Sequence, residues 1–326
     1  MNKFKTVVSP IFVLVLLVGS FVLGYVARDK GWIMLDKNNG KTTLTIANVK
    51  FAIGTLMNDF EENSITLEDV GTSTAETNTV DSYFNLSSDK YQDMSTAVTD
   101  DFYTTAGSGL VSQYYDFMFK PFLELAFDDE FKLNENFEKE MNCLPIQTQA
   151  KHIGKCTVDS NNKIVLNYYI TSDLTGNNAA NSTVAAVRVS IDFDFTDNSY
   201  AFDYSFVSNA AGSNKMAVIA HIEKDKSAFA DNFDKPAFTK YSVIRADQST
   251  GEWNKDNSVL DIVIDFDLVN KKFCRIDSGA SSLATSTKTV LAEVGATKNA
   301  ELINKYFFDN KVVELIETTA EELGIN

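Results

Sequence analysis

The sequence predicts an α+β protein, and three observations support this fold class. Apolar residues recur at helical spacing in the first part of the chain, alternate with polar residues in the middle, and return to helical spacing at the end. Helices and strands that occupy separate parts of a chain are typical of α+β folds. The predicted order is an N-terminal transmembrane helix, a helical region, an antiparallel β-meander and a C-terminal amphipathic helix.

The first element is an apolar run, Thr6 to Ala27, that holds 22 residues and no charged side chain. As a helix it would be about 33 Å long, which matches the hydrocarbon core of a bilayer. A removable signal peptide usually has a shorter apolar core. Residues 1–35 are therefore expected to be an uncleaved membrane anchor. A cleaved signal and a secreted body are the alternative, because Tyr25-Val26-Ala27 ends in a small residue.

The distribution of charge favours an extracytoplasmic body. The net charge is −16, yet residues 1–35 hold four basic residues and one acidic residue, so the acidity lies downstream. An anionic surface repels phosphate backbones, which disfavours nucleic acid as a partner. The sequence thus predicts a single-pass protein of the cell membrane, held by its N-terminal helix, with the C-terminal body outside the cytoplasm.

Residues 36–140 are predicted to form a helical subdomain. A turn-rich stalk at 36–43 precedes a helix at 45–61, in which Phe51, Leu56 and Phe60 recur at roughly helical spacing. A second helical region is predicted over 89–127. Pro121 should kink or split it, because proline lacks the backbone N–H that an interior turn needs.

Residues 141–280 are predicted to form an antiparallel sheet subdomain. Apolar and polar residues alternate along three of the segments, around Ile191, Phe202 and Ile262, and Thr196-Asp197-Asn198-Ser199 supplies turn residues between two of them. The gaps are too short for crossover helices, so consecutive strands should pair as a meander. The predicted strands are Ile164–Thr171, Thr183–Phe195, Tyr200–Val207, Met216–Glu223, Tyr241–Ala246 and Val259–Val269.

Residues 281–326 are predicted to contain a helix that packs on the sheet. Leu302, Tyr306, Ile316 and Leu323 mark one apolar face, and Gly324 stands where a left-handed C-terminal cap is expected.

Acidic residues on the predicted strands form the most suggestive candidate site. If these strands were neighbours, the carboxylates would cluster and could bind Ca²⁺ or act as an acid–base pair. The competing interpretation is a solvated outer sheet face. The residues are Asp192, Asp194 and Asp203 from one predicted hairpin, and Asp261, Asp265 and Asp267 from another strand.

The three cysteines offer one candidate disulfide, between Cys143 and Cys156. Closing that short loop would stabilise the fold by about 3 kcal/mol. Together with Cys274 and His152 they have enough atoms for zinc, but the spacing is not a standard one, so no metal site is predicted. His152 is expected in an exposed loop.

His221 is the second of the two histidines, and it lies in a predicted strand. Period-two alternation places it on one face with Glu223, where it is interpreted as a histidine at the rim of a sheet.

No catalytic residue is assigned from the sequence, which holds no nucleophile elbow, phosphate loop or dinucleotide fingerprint. The leading hypothesis is an extracytoplasmic binding or envelope scaffold protein with a protein or glycan partner and no cofactor, Ca²⁺ excepted. The alternatives are a surface hydrolase that uses paired aspartates, and a structural subunit of a secretion or conjugation apparatus.

Overall fold

A computed structural model describes most of the chain after residue 35. The predicted membrane segment, residues 1–35, lies outside the described residues. No helix among the described residues is long and apolar enough to cross a membrane. The chain divides into two compact units, Met1–Phe51 and Ala52–Asn326. The described residues are 36–38, 41–62, 83–84, 92–93, 115–143, 148–171, 184–209, 215–225, 238–248, 251–267, 272–277 and 300–325.

The first helix, α1, spans Ile46–Glu62 and confirms the helix predicted at 45–61. Thr45 caps it: the Thr45 N–H donates to Asn48 Oδ1 at 2.9 Å, and the Asn48 N–H donates to Thr45 Oγ1 at 3.4 Å. This reciprocal pair satisfies backbone groups that a helix start leaves open. Before α1, strands β1 (Asp36–Asn38) and β2 (Lys41–Thr43) form a short antiparallel hairpin where a stalk was predicted.

The second helical region does not begin where it was predicted, and the structure describes its last part. It comprises a π-helical segment Tyr115–Phe119, the helix α2 at Lys120–Glu124, and a 3₁₀ turn Leu125–Phe127. Pro121 lies in the first turn of α2, where a missing N–H is not needed, and the helical region is split there into a π-helical segment and an α-helix. The predicted start near residue 89 is wrong, because residues 92 and 93 form strand β3.

Ten strands of the described residues form one antiparallel sheet in the order β3-β12-β11-β10-β9-β8-β7-β6-β5-β4. From β4 onward every strand pairs with its chain neighbours, which confirms the α+β class and the meander. The strands are β4 (Asn136–Cys143), β5 (Thr148–Val158), β6 (Ile164–Thr171), β7 (Val184–Asp194), β8 (Ser199–Ser208), β9 (Lys215–Lys224), β10 (Lys240–Gln248), β11 (Val259–Asp267) and β12 (Lys272–Asp277).

Strands β4 and β5 extend the sheet beyond its predicted start at residue 164. They carry many charged and amide side chains and few β-branched ones, so their propensity for strand is weak. Gly154 lies at a close approach in β5: a Cβ atom there would stand 2.5 Å from Tyr168 Cδ1 and 2.7 Å from Phe137 Cζ.

The face of the sheet that carries Phe202 and Tyr204 is called the front face, and α1 and α2 cover it. Phe60 of α1 and Phe119 of the π-helical segment have ring centroids 6.1 and 5.3 Å from that of Phe202. Both rings are buried. The front face is therefore a dry aromatic layer between helix and sheet.

The face that carries Asp203 and His221 is called the back face, and the C-terminal elements cover part of it. They are helical residues 300–303, a π-helical segment Asn304–Asp309, a 3₁₀ turn Val312–Glu314 and the helix α3, Leu315–Leu323. Gly324 ends α3 in the left-handed region with φ 70°, as predicted. The chain is not one continuous helix here, since Lys311 adopts φ 56° between the segments.

The C-terminal elements bury apolar side chains against the back face. Leu302, Tyr306 and Ile316, three of the positions predicted to face the sheet, lie in this cluster. Glu322 adds polar contacts, because its carboxylate accepts from Arg188 at 2.7 Å and from Asn167 at 2.6 Å. The remaining buried members of the cluster are Phe84, Ala186, Val207, Ala217, Ile219, Ile244, Ala246, Leu260, Val263, Ile303, Phe307, Val312 and Leu315.

Candidate functional site

A row of polar residues crosses the back face over four neighbouring strands. The register pairs Asp203 of β8 with His221 of β9, His221 with Ser242 of β10, and Ser242 with Asp265 of β11. Directly paired residues in an antiparallel sheet present their side chains on the same face. The meander thus gathers on one surface residues that are far apart in the sequence.

His221 is held between two carboxylates. Its Nδ1 lies 2.6 Å from Asp203 Oδ1, and its Nε2 lies 2.8 Å from Glu223 Oε1. Burial alone would lower the pKa of His221, but the hydrogen bonds and charges of Asp203 and Glu223 outweigh it and raise the pKa to about 9. The side chain is therefore an imidazolium at neutral pH and donates from both nitrogens.

The two carboxylates are more exposed than the imidazolium between them. The exposed fraction of the side chain is 11% for His221, 43% for Asp203 and 33% for Glu223. The hydrogen bond with His221 lowers the pKa of Glu223, against the effect of burial, and Lys240 helps with its Nζ 3.5 Å from Glu223 Oε2. The charges of this cluster neutralise one another while the cluster still faces solvent.

Tyr83 covers the imidazolium. The two rings are stacked, with centroids 4.3 Å apart and planes 2° apart. The Tyr306 hydroxyl donates to the Tyr83 carbonyl oxygen at 2.8 Å, and the neighbouring Phe84 is fully buried against Tyr306. Burial, together with the charge of Asp203, holds the pKa of the Tyr83 phenol well above its usual range. The phenol is consequently neutral at any physiological pH.

Ser242 and Asp265 form the buried end of the row. The Ser242 hydroxyl donates to Asp265 Oδ1 at 2.5 Å, and both side chains are almost inaccessible. His221 is not arranged to accept the Ser242 proton, because each imidazole nitrogen already faces a carboxylate. This geometry differs from that of a Ser-His-Asp triad, in which the imidazole lies between the hydroxyl and the carboxylate.

The structure separates the two groups of predicted carboxylates. Asp203 and Asp265 lie on the same row, but β9 and β10 stand between their strands, which corresponds to about 14 Å at ordinary strand spacing. Asp192 is exposed with Lys163 Nζ 3.6 Å away, and Asp194 accepts the Thr196 N–H at 2.7 Å within the β7–β8 turn. These two residues therefore make local contacts at the strand end.

The remaining predicted carboxylates lie on β11. Asp261 is 3.3 Å from Arg245 Nε, and the same guanidinium makes a two-pronged contact with Asp247 at 2.8 and 2.7 Å. Burial raises the pKa of Asp247, and Arg245 opposes that effect. Asp267 is paired in register with Lys240 and Lys272.

The structure does not bring Cys143 and Cys156 together. Cys143 is paired in register with Thr148, at the opposite end of β5 from Cys156, and Cys156 is a buried free thiol. Burial raises the pKa of the Cys156 thiol to about 12, so it is not reactive at neutral pH. Cys274 lies in β12, paired with Asp265.

His152 is fully buried in β5, so its predicted place in an exposed loop is wrong. It faces the front side beside Phe122, with ring centroids 6.0 Å apart, and its Nδ1 is 3.1 Å from the Ala150 carbonyl oxygen. Burial lowers the pKa of His152 to about 4, which leaves it neutral. The loop was expected because β5 itself was not recognised.

Sequence reasoning placed His221 and Glu223 on one face and named Asp203 as a candidate carboxylate, but it did not bring Asp203 to His221, and it missed Tyr83 and Lys240. Two residues on one strand share a face by alternation, which the sequence reveals. The contribution of Asp203 depends on the register between β8 and β9, and that of Tyr83 depends on a contact between residues 138 positions apart. A lone aromatic pair, Tyr83-Phe84, within a polar stretch is the only local signal that could have drawn attention to it.

In the part of the chain that the structure describes, no group of three or more His, Cys, Asp or Glu residues is arranged to hold a metal ion. No family model, no curated protein and no solved structure matches this chain.

Proposed function

We propose that this chain is a membrane-anchored extracytoplasmic binding or envelope scaffold protein whose back face contacts a protein or glycan partner at the His221 cluster. The cluster consists of Tyr83, Asp203, His221, Glu223 and Lys240. The tether rests on the uncharged run Thr6 to Ala27 and on the acidity of the rest of the chain.

The proposed binding role is supported by the ion pairs that fix the side chains of the cluster. Each charge is fixed by an opposite charge, and Asp203 and Glu223 remain a third or more exposed. Side chains that are locked by their neighbours and still reach solvent suit recognition, because little conformational entropy is lost when a partner binds.

The same geometry argues against hydrolysis at this site. An imidazolium whose pKa is about 9 and whose nitrogens both face carboxylates is a poor general base at neutral pH. The buried Ser242 hydroxyl donates to Asp265. The cluster is therefore a fixed arrangement of charges and rings and has no proton acceptor poised against a nucleophile.

Site-specific photocrosslinking in intact host membranes tests the proposal. A photoreactive residue replaces Asp192, which is exposed on the back face near the end of β7. The control replaces Asp256, which is exposed in the β10–β11 loop. Discrete adducts are expected from position 192 and not from position 256. Protease treatment would identify protein adducts, and glycosidase treatment would identify glycan adducts.

Two outcomes would overturn the proposal. One is recovery of the full-length chain in the aqueous fraction after alkaline extraction of the membranes, which would remove the tether. The other is the absence of adducts from position 192 in membranes where the chain is folded and extracytoplasmic.

A further inference from the structure

The Tyr83 ring fills a space over the His221 imidazole ring, which we call the slot. We infer that the slot is a binding subsite for a neutral phenolic ring, and that Tyr83 occupies it from within the chain. The subsite deepens the proposed binding function and rests on that function for the partner that would present such a ring. The inference follows from the shape of the slot, its charge and its access to solvent.

The slot is shaped for a flat ring. Its floor is the His221 imidazole, parallel to the Tyr83 ring at 4.3 Å, and Tyr306 flanks it with a ring centroid 6.2 Å from that of Tyr83. Phe84 does not enter the slot but is buried beside it, 5.1 Å from Tyr306 in an edge-to-face contact. Phe84 belongs to the buried apolar cluster, and Tyr83 packs against the edge of that cluster while it stacks on His221.

The charge of the slot selects the kind of ring. A cationic floor attracts the electron-rich face of an aromatic ring, and an aliphatic ring of equal size has no such face. Burial opposes ionisation of the Tyr83 phenol and raises its pKa, and the charges of Asp203, Glu223 and Asp265 add to that effect. A neutral phenol therefore fits the slot, whereas an aromatic carboxylate or a phenolate would meet like charges.

Access distinguishes this slot from an ordinary core contact. Tyr83 is half-buried, and the neighbouring Asp203 side chain is 43% exposed. Phe84, by contrast, is fully buried. Tyr83 lies at the edge of the apolar cluster, so a ring that replaced it would enter from the solvent side.

The test is a titration of the full-length chain in detergent, in a Tyr83→Ala variant, with p-cresol as the probe. The chain has two histidines, so selective labelling gives two imidazole signals, and a His152→Gln variant assigns them. We expect p-cresol to move the His221 ring signals upfield in a saturable way, and to move them at least tenfold less in the parent chain, where Tyr83 fills the slot.

Three controls make the result decisive. 4-Methylcyclohexanol matches p-cresol in size, and p-toluate carries a negative charge; both are expected to leave the His221 signals unmoved. A His221→Gln change combined with Tyr83→Ala should abolish saturable p-cresol binding, measured by calorimetry. If Tyr83→Ala does not fold, Tyr83→Leu replaces it, and the same shift is expected at a higher p-cresol concentration.

Failure to see a saturable shift in a folded variant would overturn the subsite, as would equal binding of p-cresol and 4-methylcyclohexanol. Such a failure would leave the membrane extraction and crosslinking experiments unaffected. The subsite and the proposed binding function therefore stand or fall on separate measurements.

Discussion

The end of strand β9 presents a basic side chain to each face of the sheet, and the two environments differ sharply. On the front face, Lys224 is paired with Asp59 of α1; both side chains are about 95% buried, and the Tyr200 hydroxyl donates to Asp59 at 3.1 Å. On the back face, His221 is paired with two carboxylates that still reach solvent. The front pair joins a helix to the sheet, whereas the carboxylates of the back cluster remain in contact with solvent.

This difference shows that the contribution of an ion pair to stability depends on how far its charges are exposed to water. Removing one partner of a buried pair leaves an uncompensated charge in a medium that solvates it poorly. At a half-exposed pair, water replaces the lost partner at little cost. The comparison leads to predictions whose expected effects fall as exposure rises.

The largest effect is expected from breaking the front pair. Lys224→Met should lower the free energy of unfolding by roughly 3–5 kcal/mol, because Asp59 would be left buried without its counter-ion. Urea unfolding of the full chain measures this. The matched control is Lys240→Met on the next strand, which is 29% exposed and should cost less than about 1 kcal/mol. Equal losses for the two variants would contradict the distinction between the faces.

A second large effect is expected at the close approach in the front layer. Gly154→Ala should destabilise the fold by about 1–3 kcal/mol, since its Cβ would overlap the rings of Tyr168 and Phe137. Gly54→Ala in α1 is the control: its Cβ would meet only Phe127, at 3.4 Å, and alanine favours helix by up to about 1 kcal/mol. The midpoint of thermal unfolding should therefore fall for Gly154→Ala and rise for Gly54→Ala.

An intermediate effect is expected from the charge state of His221. Its folded pKa, about 9, lies above the ordinary value of 6.5, so the stabilisation is complete below pH 6.5 and is lost as the pH rises towards 9. The loss should be on the order of 2 kcal/mol, allowing for solvent around Asp203. His221→Gln should flatten the dependence of the urea midpoint between pH 6 and 10. A parent chain whose stability is constant over that range would exclude the imidazolium cluster.

The smallest effect is expected at Asp192. Its side chain is 58% exposed, and its contact with Lys163 is long at 3.6 Å. Asp192→Asn should change the free energy of unfolding by less than about 0.5 kcal/mol. Addition of Ca²⁺ should not separate this variant from the parent in a thermal unfolding experiment. A calcium-dependent difference would revive the carboxylate site that the sequence suggested.

The parts of the fold that were predicted correctly are those whose signal is local. Strand β6 was predicted at its observed bounds, and α1 was predicted from apolar residues that recur at roughly helical spacing. Gly324 signalled the end of α3 for a similar reason. Each of these features depends on a few consecutive residues, whose conformational preferences agree with the final structure.

The parts that were not predicted depend on distant contacts. Strand β5 resembles a polar loop in sequence, and it became a strand because β4 and β6 pair with both of its edges. The His221 cluster needs the register of β8 against β9 and the placement of Tyr83 by Tyr306. No local pattern encodes those contacts, so reasoning from alternation recovered only the shared face of His221 and Glu223.

The colinear order of β4 to β12 has a consequence for how the molecule is made. Each new strand finds its pairing edge on the hairpin completed just before it, so the sheet can grow from one side as the polypeptide is delivered. Glu322 reaches back to Asn167, 155 residues earlier, so this contact forms only after α3 has been synthesised. A nascent chain that stalls before α3 would expose the apolar patch around Ile219 and Ile244, which is a surface suited to a chaperone.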